Sequence, residues 1–118
     1  MQTPLQLTFR SLAHSDALAA HVQRRVEKLE HLFDRIISCH VVVELASHRH
    51  RHGDECRVTV NVGLPGHELL ASHAPSGDRI LDLHATADRA FDDAERQLED
   101  WARRRREDRH GGVTPPAE

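Results

Sequence analysis

Apolar and polar residues alternate at the start of the chain, where Gln6, Thr8 and Arg10 separate Leu5, Leu7 and Phe9. That period of two predicts a half-buried strand over 5–12. The period then changes. Leu18, Val22, Val26, Leu29, Phe33 and Ile36 recur at steps of three and four, which predicts an amphipathic helix over 16–35. Ser15 is its expected N-cap, with Asp16 in the first turn. Three strands follow. "CHVVVELAS" (39–47) is β-branched and continuous, "ECRVTVNVGL" (55–64) alternates strictly, and "HELLASH" (67–73) comes after the turn signal Pro65-Gly66. Together they predict an antiparallel meander. "APSGDR" (74–79) reads as a loop, with Asp82 as the cap or first-turn acid of what comes next. A second helix is expected from about Ile80 to Asp108, with Leu83, Ala87, Ala90, Phe91, Ala94, Leu98 and Trp101 on one face.

The order β-α-β-β-β-α predicts an α+β fold: a four-stranded sheet with two helices packed on one face. The other sheet face, with Thr59 and Asn61, is expected to meet solvent. Residues 1–110 are read as one domain and "GGVTPPAE" (111–118) as a disordered tail. A chain of 118 residues suits one core, and with Phe9, Phe33, Phe91 and Trp101 as its aromatics that core is mostly aliphatic. No apolar run approaches the ~20 residues a membrane span needs. The N-terminus has no secretory pattern, so a cytoplasmic protein without membrane partners is expected. Cys39 and Cys56 are too few for a disulfide framework and are expected to be buried thiols.

The formal net charge is −3 with 11 histidines counted neutral, so the placement of charge matters more than its sum. On the first helix Arg24, Lys28, His31 and Arg35 stand at steps of four, three and four, flanked by Arg25. Such a row either meets phosphates or is a solvated face balanced by Glu27 and Glu30 at helical spacing. The second helix carries seven acids against Arg89 and Arg96 over 82–100, then "RRRR" at 103–106. Acids early and arginines late suit the helix dipole, and Glu99–Arg103 and Asp100–Arg104 have the stabilising i,i+4 order. Four adjacent arginines exceed what a helix end requires, so a phosphate-gripping end is a second reading.

"SHRHRHGD" (47–54) sits where the second and third strands must join. Zinc commonly takes three or four converging ligands, whereas His48, His50 and His52 would line one strand face beside Arg49 and Arg51. An anion suits that tip better than a cation. No glycine-rich phosphate loop, G-x-S-x-G elbow or HExxH is present, and Cys39 and His40 would point to opposite sheet faces. A non-enzyme with no cofactor and no small-molecule substrate is expected.

Five stretches, "LQLTFRSLAHSDALAAHV", "RVEKLEHLFDRI", "HVVVEL", "GHELLAS" and "DLHATADRAFDDAERQL", carry a resemblance over roughly residues 5–98. The chain resembles the ribosome hibernation-promoting factor / ribosome-associated inhibitor family, also described as sigma-54 modulation proteins, in its short form. The resemblance implies a fold like double-stranded RNA-binding domains and a partner, the small ribosomal subunit and its rRNA near the decoding region. It implies a protein that inactivates or preserves idle ribosomes under stress. Family members contact rRNA through basic residues of both helices, and Arg24, Arg25, Lys28, Arg35 and Arg96 match such positions. With His31, Arg49, Arg51, Arg103 and Arg104 they make up the expected RNA-binding set. Asp93 and Asp100 depart from the lysines expected there. A free monomer is expected. The alternatives are a protein-binding stress adaptor, which the acidic middle of the second helix would favour, and a His-rich metal-binding protein.

Overall fold

The computed structural model describes residues 3–47, 54–74 and 83–110. The elements are β1 (Gln6–Arg10), α1 (Asp16–Leu32), β2 (Ser38–Ser47), β3 (Asp54–Leu64), β4 (His67–His73) and α2 (Leu83–His110). This is the expected β-α-β-β-β-α order in an α+β fold. The sheet order is β1-β2-β3-β4. β1 runs parallel to β2, with α1 as the crossover, and the other two pairings are antiparallel.

Register decides which residues are inside. Leu7 pairs with Val41 and Phe9 with Val43. Val41 in turn faces Val60, and Val60 faces Ala71. These rows form the covered face, and Val41, Val43, Val58, Val60 and Val62 have no exposed surface. Leu18, Val22, Val26 and Leu29 of α1 and Ala87, Ala90, Phe91, Ala94 and Leu98 of α2 complete the same core. One residue further along each strand, the open face carries Thr8, His40, Thr59 and Ser72. Thr8 and His40 hydrogen-bond at 3.0 Å across the β1–β2 pair, and Thr59 and Ser72 at 3.2 Å across β3–β4.

The ends of the elements have local causes. Ser15 caps α1 by accepting from the Leu18 amide at 3.2 Å. Ser11, at φ 62°, ends β1 earlier than the alternation predicts. Gly66, at φ 67°, supplies the left-handed residue of the β3–β4 turn, a conformation most side chains resist. α1 stops at Leu32, three residues short of expectation. Phe33 leaves the helix in extended conformation (φ −136°, ψ 104°) while its amide still donates to the Leu29 carbonyl at 2.8 Å. That departure lets Phe33 and Ile36 both pack on the core. Arg35 therefore lies in the turn after α1 and not on the helical row. α2 continues to His110, two residues beyond expectation. Asp82 and the segment 111–118 fall outside the described residues.

Candidate nucleic-acid interface

The core stripe of α1 fixes the direction of every other residue on that helix. With Leu18, Val22, Val26 and Leu29 inward, Arg24, Lys28 and His31 are exposed. Neither Arg24 nor Arg35 has an ion-pair partner among the described residues. Arg35 is exposed in the turn below.

Arg25, the next residue of the expected contact set, lies apart from that exposed row. Its side chain is 14% exposed and lies in the seam between the two helices. One terminal guanidinium nitrogen donates to Asp88 Oδ1 at 2.6 Å, and the second terminal nitrogen to Asp92 Oδ1 at 2.8 Å and Glu95 Oε2 at 3.2 Å. The guanidinium carbon stands 5.4 Å from the centroid of the Phe91 ring. His21 adds a 2.7 Å contact to Asp88, and Lys28 Nζ approaches Glu95 at 3.5 Å. Three bases at steps of four and three on α1 thus meet three acids at the same steps on α2. Both rows ascend together, so the helices run in the same direction.

The electrostatics follow from this clasp. Burial lowers the Arg25 pKa, but the hydrogen bonds it donates to Asp92, Asp88 and Glu95 outweigh it, and the value is raised. Desolvation pushes the Asp88 carboxyl up, yet the hydrogen bonds and charges of His21 and Arg25 prevail and hold it below the ordinary carboxylate value. The acidic middle of α2, which favoured a protein-binding adaptor, is in large part the counter-row of α1.

The outer side of α2 is basic and partly self-paired. Arg96 bonds Asp93 at 2.9 Å, Arg104 bonds Asp100 at 3.1 Å, and Arg103 also reaches Asp100. Arg103 thereby pairs three residues back instead of with Glu99. Asp93 thus holds one arginine and Asp100 two. Ser72, His73, Arg89, Asp92, Asp93 and Arg96 line an open cleft of about 450 Å³ between β4 and α2. The residues missed from sequence are His21, Asp88, Asp92 and Glu95. The matching four-three spacing on two helices was the available signal.

Arg49, Arg51 and the histidines between strands two and three lie outside the described residues. Among the described residues no group of three or more His, Cys, Asp or Glu side chains could hold a metal ion. Cys39 and Cys56 are buried in strands as expected, and burial pushes their thiols up to about 12 and about 11. No helix among the described residues is long and apolar enough to cross a membrane.

Residues 5–106 match the model of the family described as sigma 54 modulation protein / S30EA ribosomal protein. The chain belongs to that family. Two solved structures of similar shape accompany this match. A ribosomal subunit interface protein from Coxiella burnetii superposes with a TM-score of 0.66 at 21% identity, covering 83% of this chain and 96% of that one. The N-terminal domain of Thermus thermophilus Protein Y gives 0.65 at 28% identity, covering 81% of this chain and 94% of that one. Comparison with curated proteins returned no match. In this family member, then, the two-helix layer carries an exposed basic row on α1, a clasp in the middle and a basic outer edge on α2.

Proposed function

We propose that this protein binds the small ribosomal subunit through its rRNA, at the decoding region, and holds idle ribosomes inactive or intact under stress. The observation that carries this reading is the exposed row Arg24, Lys28 and His31 on a packed two-helix layer, in a chain whose family match spans 5–106. Arg35 extends the row through the turn, Arg96, Arg103 and Arg104 extend it along α2, and Arg49 and Arg51, outside the described residues, belong to the proposed contact set by sequence alone. The mechanism is occupancy: cations displace counterions from phosphates, and no bond is made or broken. With Phe9, Phe33, Phe91 and Trp101 as the whole aromatic complement, stacking on unpaired bases has little to work with. Recognition of RNA shape and backbone fits better. The protein acts as a cytoplasmic monomer without a cofactor.

Co-sedimentation with purified small subunits across a salt series tests the proposal. About five to eight phosphate contacts should make log K fall by several units per decade of salt. Reversing charge at Arg24 and Lys28 together should abolish binding at physiological salt. Absence of wild-type binding even at low salt would refute the reading, and an unaffected double variant would move the interface off α1.

A further inference from the structure

Arg24 and Arg25 are sequence neighbours with opposite surroundings. Arg24 is exposed, whereas Arg25 is 14% exposed and donates to Asp88, Asp92 and Glu95 at 2.6, 2.8 and 3.2 Å. A guanidinium shared among three carboxylates and lying near an aromatic face cannot turn to a phosphate without releasing all of them. Release would be costly for an anion-binding surface. Asp88 and Asp92 are 41% and 68% exposed, so without their counter-charge they would repel a polyanion beside the α1 row. The clasp also crosses the seam between α1 and α2, where His21 and Lys28 flank Arg25 against Asp88 and Glu95.

We propose that Arg25 is a positioning residue for ribosome binding. It neutralises the acid row of α2 and locks α2 against α1. The exposed bases of α1 and the outer arginines Arg89 and Arg96 of α2 then form one phosphate-facing surface. Arg25 itself touches no RNA. This inference rests on the ribosome-binding reading above, and it assigns a family-matched basic position to the inside of the platform.

The test compares two adjacent substitutions in the full chain, Arg24→Gln and Arg25→Gln, by co-sedimentation with small subunits over a salt series and by thermal melting. Loss of a phosphate contact lowers the slope of log K against log salt by about one. Arg24→Gln should do that and leave the melting temperature unchanged. Arg25→Gln should weaken binding about tenfold at fixed salt, a typical coupling between linked sites. Its salt slope should stay that of the wild type and its melting temperature should fall by about 5 °C. A slope lowered by about one with an unchanged melting temperature would make Arg25 a contact and overturn the proposal. If the wild type fails to bind, the ribosome reading falls separately. The clasp is then judged by a melting-temperature cycle of Arg25→Gln and Asp88→Asn: coupled effects support it, and additive effects overturn it.

Discussion

Asp88 receives both His21, at 2.7 Å, and Arg25, at 2.6 Å, and its carboxyl is held below the ordinary value. A group whose folded pKa is depressed contributes stability that is complete above its unfolded value of about 3.9. That contribution drains away as pH falls through the lowered folded value. Thermal melts taken from pH 5 downward should therefore show a steeper acid loss in the wild type than in Asp88→Asn. Equal acid limbs would mean that the clasp does not sense this carboxyl. The neighbouring positions show how narrow the distinction is at this scale. One step of about 100° around α1 separates Arg24, which faces solvent, from Arg25, which faces three acids.

α1 is a helix because its apolar residues recur at steps of three and four and because Ser15 satisfies a first-turn amide. The cap is the more easily tested cause. Ser15→Ala should cost about 1 kcal/mol, read from chemical denaturation, while Ser15→Asp should preserve stability. α2 draws on different support. Its core stripe ends near Leu98 and Trp101, yet the helix continues to His110. Asp100 pairs with Arg103 and Arg104 across that boundary, and the Arg105 guanidinium stands 5.1 Å over the Trp101 ring. Side-chain pairs at helical spacing support the turns that tertiary packing does not cover.

For the whole molecule the core is one cluster shared by sheet and helices, centred on the five fully buried valines of β2 and β3 and on Phe91 of α2. Phe91 is the largest side chain with no exposed surface, and Arg25 stands over its ring. Phe91→Ala should remove about 3–5 kcal/mol and would empty the base of the clasp as well as the core. Urea denaturation followed by circular dichroism checks the magnitude. A loss below about 1 kcal/mol would show that the helices can close over the gap.

Much of this protein was determined by its sequence alone. Periods of two and of three to four residues specified six elements in the right order, because burial on one face imposes those periods wherever a strand or helix packs on a core. The thiols of Cys39 and Cys56 were legible for the same reason, since each sits in phase with buried valines. The end of α1 at Leu32 was decided by tertiary structure, because it depends on how Phe33 and Ile36 reach the core, and so was the pairing of β1 with β2, which is parallel because α1 crosses over between them. The fate of the charges was decided there too. Periodicity places Arg25 beside the α1 row, but only the packing of α2 brings Asp88, Asp92 and Glu95 within its reach. Charge acts through space across some 63 to 70 residues of chain here, and no local pattern encodes that distance.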